Sequence, residues 1–317
     1  ANRSTFLALH KFYEEVIECL ERSECPAGIF CDLSRAFDCV NHDLLLNKIY
    51  DYGVRGIPHR WISSFLRGRL QYVSIPHTDD FGNKGSIHSG TINIDLGVPQ
   101  GSILGPILFI MYINDLEHSL DTNSNATIYA DDTSLIISGS NNIILEDRCN
   151  TNMRQLQKWF NNNSLYLNNN KTNYLRLHCY QNRSNLDLDI GVNGSRIARA
   201  TSVRFLGVWI DDCLNWKEHC MYLISKVNIQ CYIMRNLKNI LTIQQLITYY
   251  HAHITSRLTY GICFWGSASQ SSDVFIAQKR IIRCIAGVNS SFSCRKLFKD
   301  YKILTLVCLF ILEMCLY

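Results

Sequence analysis

The sequence lacks the cysteine pairs that mark zinc and redox sites. Its fourteen cysteines are scattered, without a Cys-x-x-Cys pair and without an adjoining histidine pattern. Scattered cysteines of this kind usually serve as small buried apolar residues in a reducing compartment. The sequence therefore predicts neither a zinc site nor a redox motif, and it favours an intracellular protein.

The sequence also lacks a hydrophobic run long enough to cross a membrane. The most apolar tract, residues 303–312, is followed by Glu313 and is too short to span a bilayer, so it favours a packed helix. A membrane segment cut off at Tyr317 is the alternative. No signal peptide opens the chain, and Ala1 in place of an initiator methionine indicates a fragment of a longer protein.

Charge is distributed unevenly along the 317 residues. The net formal charge is only +4, but the tract from Cys213 onward holds 12 Lys and Arg against 4 Asp and Glu, which leaves −4 for the residues before it. With 47% hydrophobic residues, the chain can bury a sizeable core. An acidic half and a basic half suit an enzyme that binds metal in one place and a polyanion backbone in another. An ordinary solvated helix face is the alternative for the basic half.

Two apolar stretches carry carboxylates. Residues 27–33 have the pattern of a buried strand with Asp32 near its end, and residues 127–137 predict a strand, a tight turn at Asp131 and Asp132, and a second strand. Hairpin turns favour Asn-Gly or Asp-Gly, so two adjacent carboxylates need a compensating charge. If the strands are neighbours, the three carboxylates converge and suit two divalent cations about 4 Å apart. The alternative is a helix-capping Asp32 and a solvated turn.

A glycine-rich block lies between these stretches. Residues 97–106 read Gly-Val-Pro-Gln-Gly-Ser-Ile-Leu-Gly-Pro and precede an apolar helical run over residues 107–116. Its glycines allow the backbone to approach a ligand closely, and the N-terminus of the following helix offers N–H groups to a phosphate or a base. A plain loop before a core helix is the alternative.

Three motifs in this order resemble the reverse transcriptases of non-LTR retrotransposons of the jockey kind. They are Phe-Cys-Asp-Leu-Ser-Arg-Ala-Phe-Asp-Cys-Val-Asn-His at 30–42, the glycine-rich block at 97–106, and Tyr-Ala-Asp-Asp at 129–132. The resemblance extends over nearly the whole chain. It implies an α/β (α+β) polymerase right hand, with an antiparallel palm sheet, partial fingers and a helical thumb. The implied reaction is RNA-directed DNA synthesis, in which two Mg²⁺ ions, or Mn²⁺ as a substitute, support nucleotidyl transfer to a primer 3′-hydroxyl.

The same resemblance implies partners and segments. The partners would be an RNA template, a DNA primer, deoxynucleoside triphosphates and other domains of a longer polyprotein, with no membrane, in the cytoplasm and the nucleus. Partial fingers would cover residues 1–26, the palm 27–212 with a fingers insertion at about 53–96, the thumb 213–240, and a helical C-terminal tail 241–317. We find no endonuclease, RNase H or zinc-knuckle signature in the sequence.

The resemblance also assigns catalytic and nucleotide-binding residues. The metal ligands would be Asp32, Asp131 and Asp132. Lys171 would lie near the triphosphate, where its ammonium could protonate the leaving pyrophosphate, and a surface lysine in a turn is the alternative. The nucleotide-binding residues would be Phe37, Gln100, Gly101 and Tyr129. Phe37 would leave no space for a 2′-hydroxyl on the incoming nucleotide, unless it merely packs in the core.

Further residues would contact template and primer. Arg67 and Arg69, at a junction between helical and alternating patterns, would meet template phosphates, or else solvent. Residues 203–210 predict one strand, whose Phe205, Leu206 and Gly207 match the motif that contacts the primer end. A hydrophobic strand beneath a thumb is the alternative. The helix predicted over residues 216–237 would contact a duplex backbone through basic residues off its apolar face, Lys226, Arg235 and Lys238.

Several shorter segments also carry local sequence signals. Residues 2–5 resemble the tail of the family's fingers motif. Asn41 is the predicted N-cap of a helix, and Asp38 just before it suits capping more than catalysis. Residues 76–90, rich in Gly, His, Ser and Asp, predict a loop, and Asn193-Gly194 predicts a hairpin turn.

Two rival functions share parts of this pattern. The chain could be an inert RNA-binding remnant, because elements of this kind decay in genomes and the fingers are incomplete, but the intact aspartate triad argues against decay within the palm. An RNA-dependent RNA polymerase would share the metal site, but it would not be expected to carry Phe37 as its sugar discriminator.

Overall fold

Apolar stripes and turn residues divide the chain into alternating helices and strands. A computed structural model describes residues 4–79, 81–120, 124–179, 187–192 and 194–317. The α-helices are α1 (Thr5–Glu21), α2 (His42–Asp51), α3 (Gly56–Leu66), α4 (Leu104–Ile113), α5 (Asn142–Asn162), α6 (Lys217–Leu237), α7 (Ile243–Tyr250), α8 (Ser256–Thr259), α9 (Ile262–Trp265), α10 (Ser271–Ala286), α11 (Cys294–Asp300) and α12 (Leu306–Leu316).

The strands are short and lie mainly in the first two thirds of the chain. They are β1 (Cys25–Cys31), β2 (Arg69–Gln71), β3 (Ser74–Thr78), β4 (Lys84–His88), β5 (Ile92–Ile94), β6 (Ser124–Tyr129), β7 (Asp132–Gly139), β8 (Asn173–Arg176), β9 (Gly191–Val192), β10 (Ser195–Arg196), β11 (Ala198–Ala200), β12 (Ser202–Phe205) and β13 (Val208–Asp211). The protein is therefore of the mixed α/β class that the sequence predicts.

Contacts divide the chain into two units. The sheet unit comprises the described parts of 11–174 and 186–199, and the helical unit comprises those of 1–10, 175–185 and 200–317. The predicted fingers, palm, thumb and tail segments follow other boundaries and stay predictions. Asn2, Arg3 and Asn193 lie outside the described residues, although β9 and β10 on either side of residue 193 pair antiparallel.

The principal sheet has the strand order β11-β8-β1-β7-β6. Strands β6 and β7 form an antiparallel hairpin, and β1 pairs antiparallel with β7, with Cys31 opposite Thr133. β1 is apolar and buried along almost its whole length. The predicted strand and hairpin are therefore confirmed, and they are direct neighbours.

Helices α4 and α5 contribute much of the core of the sheet unit. The predicted apolar stripe of α5 is fully buried and consists of Leu145, Cys149, Met153, Leu156 and Phe160. From α4, Phe109 and Tyr112 are also fully buried, and the Tyr112 hydroxyl donates a hydrogen bond to the Asn163 carbonyl at 2.6 Å. Helix spacing alone therefore predicted the packed face of α5 correctly.

The predicted loop at residues 76–90 is wrong, because β3 and β4 form an antiparallel hairpin there with Ile75 opposite Ile87. The Asp79 carboxylate stabilises the turn by accepting hydrogen bonds from the backbone N–H groups of Phe81, at 3.0 Å, and Asn83, at 2.7 Å. Every residue of both strands is exposed. The hairpin was missed because a strand without a buried face has no reason to alternate apolar and polar residues.

The single strand predicted over residues 203–210 is also wrong. The structure has two antiparallel strands there, β12 and β13, and the turn between them is Leu206-Gly207. Both turn residues are left-handed, with φ of 45° and 86°, and the Tyr260 hydroxyl donates a hydrogen bond to the Leu206 carbonyl. The turn interrupts a nearly continuous apolar run, so the sequence gives little sign of it.

The helical unit is built around α6 and α10, which pack against each other. The buried Gln278 of α10 joins distant parts of this unit, because its amide donates to the Tyr250 hydroxyl at 2.8 Å and accepts from the backbone N–H of Leu306 at 2.9 Å. Of the apolar residues in α12, Leu306 and Leu309 are buried while most others are exposed. None of the described helices combines the length and apolarity needed to cross a bilayer.

Candidate active site

The ends of β1 and β7 bring three carboxylates together, which we call the aspartate cluster: Asp32, Asp131 and Asp132. Asp32 directly follows β1, and the register that pairs Cys31 with Thr133 puts it beside Asp132, the first residue of β7. Asp131 lies in the turn between β6 and β7, after Ala130, whose φ is 53°. The turn is therefore built without the glycine that a left-handed position favours.

Like charges in this cluster oppose one another. Asp132 is accessible to solvent, yet its carboxyl is partly surrounded by protein atoms. This desolvation, followed by the charges of Asp131 and Asp32, raises the pKa of Asp132 above its ordinary value. A bound cation would reverse the effect, because it turns mutual repulsion into shared ligation. The donor set consists of carboxylate oxygens, which divalent cations such as Mg²⁺ prefer.

The segment after α5 packs along Asp32. The Asn168 N–H donates to the Asp32 carbonyl at 2.8 Å, and the Lys171 ammonium lies 3.6 Å from the Asp32 carboxylate. Both side chains of this ion pair are substantially exposed, at 68% for Lys171 and 42% for Asp32. Exposed pairs are weak, so Lys171 can leave Asp32 for a stronger anion.

Asp38 does not cap α2, contrary to prediction. Asn41 is the N-cap, and its side-chain oxygen accepts from the N–H groups of Asp43 and Leu44. The Asp38 carboxylate lies three residues earlier, where it accepts a hydrogen bond from the Gln100 amide at 2.9 Å. Sequence reasoning therefore missed Asp38 as the partner of a predicted nucleotide-binding residue.

Backbone hydrogen bonds join the glycine-rich block to residues 37–40. The N–H of Gly97 donates to the Val40 carbonyl at 2.7 Å, and that of Val98 donates to the Phe37 carbonyl at 2.9 Å. Gly101 has a φ of 80°, and no described atom lies within 4 Å of a Cβ placed there, so its backbone borders open space. At Gly105, in contrast, a Cβ would lie 2.6 Å from the Pro99 carbonyl oxygen.

The remaining predicted nucleotide-binding residues have mixed environments. Phe37 is half-buried and stacks on Phe109 with ring centroids 4.4 Å apart. Tyr129 is exposed and lies opposite Asp132 in the β6–β7 register. The lining of a cleft of about 720 Å³ includes Asp38, Arg69 and residues 97–100 at the start of the glycine-rich block. Arg69 therefore shares a cleft with two residues of the candidate site.

The other predicted template and primer residues lie on the surface or in turns. Arg67 is exposed and forms an ion pair with Asp43. In the helical unit, Phe205 is buried and begins the Leu206-Gly207 turn. The Lys226 ammonium lies 5.4 Å from the centre of the Tyr222 ring.

The last two predicted basic residues, Arg235 and Lys238, are exposed near the end of α6. The Lys238 ammonium lies beside Gly287, at the C-terminus of α10, where a Cβ would come within 2.5 Å of it. A cation in this position interacts favourably with the helix dipole. Lys238 can therefore stabilise the C-terminus of α10 as well as contact phosphate.

Comparison with known proteins gives consistent matches. The family model for "Reverse transcriptase (RNA-dependent DNA polymerase)" matches residues 3–210. The chain is 26% identical to the "RNA-directed DNA polymerase from mobile element jockey" of Drosophila melanogaster, over 93% of this chain and 32% of that protein. It is 23% identical to the "Probable RNA-directed DNA polymerase from transposon X-element" of the same fly, over 96% and 33%. The chain thus spans about a third of the length of these curated relatives.

Among solved structures, the telomerase of Candida albicans in complex with a fragment of telomeric RNA matches with a TM-score of 0.47 and 12% identity, over 96% of this chain and 55% of that chain. The apo telomerase of Candida tropicalis matches with a TM-score of 0.44 and 13% identity, over 99% and 51%.

The family model covers most of the chain and includes the aspartate cluster, the glycine-rich block and Lys171. Reverse transcriptases generally depend on divalent metal ions and act on a nucleic-acid template and primer. Because the match exceeds half of the sequence, the chain belongs to the reverse transcriptase (RNA-dependent DNA polymerase) family.

Proposed function

We propose that this chain is the polymerase part of a non-LTR retrotransposon protein and that it synthesises DNA on an RNA template. The observation that carries the proposal is the convergence of Asp32, Asp131 and Asp132 at one end of an antiparallel sheet. Family membership and the similarity to jockey support it.

The aspartate cluster suits two Mg²⁺ ions, with Mn²⁺ as a substitute, because its donors are carboxylate oxygens. Divalent ions bound there would supply activation of the primer 3′-hydroxyl and neutralisation of charge on the phosphates. The raised pKa of Asp132 is consistent with this assignment, since crowded carboxylates are costly unless a cation joins them.

Residues around the cluster would position the nucleotide and move a proton. Lys171 Nζ, 3.6 Å from Asp32 and well exposed, can turn to the pyrophosphate and protonate it as it leaves. Asp38 accepts a hydrogen bond from the Gln100 amide, and the side-chain oxygen of Gln100 would then accept from a ligand. Gly101 offers backbone that a base or sugar can approach closely.

The partners follow from the same assignment and are equally proposals. They are an RNA template, a DNA primer and deoxynucleoside triphosphates, with other domains of a longer polyprotein, acting in the cytoplasm and nucleus. Phosphate contacts would come from Arg67 and Arg69 in the sheet unit and from the basic residues of α6 in the helical unit. The β12–β13 turn at Phe205, Leu206 and Gly207 would contact the primer end.

Primer extension tests the proposal directly. A DNA primer on a poly-purine RNA template is incubated with the purified chain, Mg²⁺ and either deoxynucleotides or ribonucleotides. We expect extension only with Mg²⁺ or Mn²⁺ and mainly with deoxynucleotides. Binding of the template and primer without extension would instead support an inert RNA-binding protein, and preferential ribonucleotide insertion would support an RNA polymerase.

A further inference from the structure

Three side chains of the helical unit form a second group of potential metal ligands, which we call the histidine cluster: His178, Asp212 and Cys213. His178 follows β8, and Asp212 and Cys213 follow β13. The His178 N–H donates to the Asp212 carbonyl at 3.0 Å, so the two segments are joined by their backbones at this point. One donor atom from each side chain lies within 4.8 Å of the other two.

The backbone that carries Asp212 and Cys213 is held in place by the buried Asp211. Its carboxylate accepts hydrogen bonds from the N–H groups of Cys213 at 3.2 Å, Asn215 at 2.9 Å and Trp216 at 2.7 Å. Ligands on a fixed backbone lose little conformational entropy when they bind an ion. The backbone that carries two of the three ligands is therefore fixed before any ion binds.

Both ring nitrogens of His178 have polar neighbours. Its Nδ1 lies 3.1 Å from the Cys179 carbonyl oxygen, and its Nε2 lies 3.5 Å from the Asp212 carboxylate. A neutral imidazole carries one N–H, so when Nε2 donates to Asp212, Nδ1 keeps a lone pair that faces the Cys213 sulfur. Because His178 is only 9% exposed, water has little access to that lone pair. A metal ion bound between Nδ1 and the sulfur would use it.

We propose that the histidine cluster binds a transition-metal ion of the zinc type. The Cys213 sulfur lies 3.6 Å from His178 Nδ1, which matches the separation of about 3.6 Å expected between nitrogen and sulfur ligands of tetrahedral Zn²⁺. The Asp212 carboxylate faces the other ring nitrogen, Nε2, but the three donor atoms lie within 4.8 Å of one another, so rotation of the Asp212 side chain would bring an oxygen to the same ion. A thiolate and a carboxylate together balance the two charges of the ion.

The donor set selects the class of metal. Thiolate and imidazole favour Zn²⁺, Co²⁺ and similar ions, whereas Mg²⁺ prefers oxygen ligands. Three protein ligands leave a fourth position for water. The absence of a Cys-x-x-Cys motif does not bear on such a site, because its histidine and cysteine are 35 residues apart. The proposal is independent of polymerase activity.

Cobalt titration of the whole chain tests the site, with Co²⁺ standing in for Zn²⁺. After treatment with EDTA, added Co²⁺ should give one equivalent of thiolate-to-cobalt charge-transfer absorption, which Zn²⁺ abolishes and excess Mg²⁺ does not. The variant Cys213→Ser should lose this absorption. The matched control Cys179→Ser, at the exposed neighbouring thiol, should keep it. An unchanged cobalt spectrum in Cys213→Ser would overturn the proposal.

Alkylation provides a second test that needs no variant. Iodoacetamide labelling followed by mass spectrometry compares Cys213 with Cys179 in the same sample. Zinc at 100 times its Kd should slow the labelling of Cys213 about 100-fold, because only the metal-free fraction reacts, and should leave Cys179 unaffected. Equal labelling rates of Cys213 with and without zinc would contradict the site even if the variants failed to fold.

Discussion

The aspartate cluster and the histidine cluster differ in the atoms they offer and in their surroundings. The first presents oxygens only, at accessible strand ends, where desolvation and then the neighbouring charges raise the pKa of Asp132. The second combines nitrogen, sulfur and oxygen around a nearly buried ring. These differences in donor atoms and exposure suit two different roles of a bound metal ion. Accessible hard ligands suit an ion shared with a phosphate substrate, while a half-buried mixed set suits an ion that stays with the protein.

The largest expected effect comes from Asp132→Asn in the aspartate cluster. Removing one proposed metal ligand should lower the primer-extension rate by about 1,000-fold, corresponding to several kcal/mol of lost charge stabilisation. The melting temperature should not fall, because the substitution also removes repulsion at nearly constant volume. Single-turnover extension and thermal melting measure the two effects.

Asp51→Asn is the matched control for this prediction, because Asp51 is an exposed carboxylate at the end of α2. It should extend primers like the parent. If Asp132→Asn retains parental activity at an equal melting temperature, the aspartate cluster is not the metal site and the comparison with the histidine cluster fails.

Phe37→Val tests the proposed role of Phe37 in sugar specificity. Fitting a 2′-hydroxyl against a rigid phenyl ring costs about 1–3 kcal/mol. Replacing the ring by the smaller valine side chain should therefore relax discrimination against ribonucleotides by about 10- to 100-fold, while most deoxynucleotide activity remains. Competition between the two nucleotide types measures the ratio. Because Phe37 stacks on Phe109, a parallel loss of both activities with a lower melting temperature would assign it to the core.

Acidity should affect the aspartate cluster through Asp132. Its pKa is raised in the metal-free folded protein, and protons compete with metal for the carboxyl, so extension at subsaturating Mg²⁺ should fall about tenfold per pH unit below that pKa. Acidification should affect the stability of the metal-free folded protein in the opposite direction. The folded state binds the proton more tightly than the unfolded state, so acidification from neutral pH should relieve repulsion and raise the melting temperature.

Metal-free melting curves at several pH values test the sign of this effect. The Asp132→Asn variant provides the reference, since it lacks the titrating group and should lose that part of the pH dependence. A variant whose curve follows the parent throughout would show that Asp132 does not titrate as its surroundings require.

The hydrogen bond between Asp38 and Gln100 should matter less than the metal ligands. A hydrogen bond to a charged group contributes about 1.5–3 kcal/mol, so Asp38→Ala and Gln100→Ala should each slow extension by at least about tenfold. The double variant should be little worse than either single one, because both remove the same contact. Fully additive losses would show that Asp38 acts independently of Gln100.

The smallest effect concerns the basic residues of the helical unit. Replacing Lys226, Arg235 and Lys238 together by Gln should flatten the slope of log affinity for a template and primer against log salt by about three units at most. Lys238 should contribute least to phosphate binding because its ammonium lies beside Gly287 at the end of α10. An unchanged slope would assign all three residues to solvent.

The sequence predicted those parts of the fold whose cause is local. Burial on one face produced the stripe of α5, and apolar runs ending in carboxylates marked β1 and the β6–β7 hairpin. The exposed β3–β4 hairpin has no buried face and left no such pattern. The turn at Leu206 lies inside an apolar run and needs a left-handed φ that leucine does not indicate.

In the candidate site, too, the sequence predicted only what neighbouring strand ends determine. The aspartate cluster follows from strand ends that neighbour each other, whereas the bond of Asp38 to Gln100 joins residues 62 positions apart. His178 and Cys213 are brought together only by the packing of the helical unit. No spacing rule could have found either pair, because tertiary contacts and not local periodicity create them.

Gly105 has a consequence for how copies of such a gene diverge. A side chain there would collide with the Pro99 carbonyl, so most substitutions should impair folding itself, whereas replacing an aspartate by asparagine should spare the fold. Copies retained for binding RNA alone would therefore keep this glycine while their aspartates vary. Copies under no selection would lose the glycine and the aspartates at similar rates. The ratio of substitutions at Gly105 to substitutions at the aspartates therefore distinguishes a gene retained for RNA binding from a pseudogene.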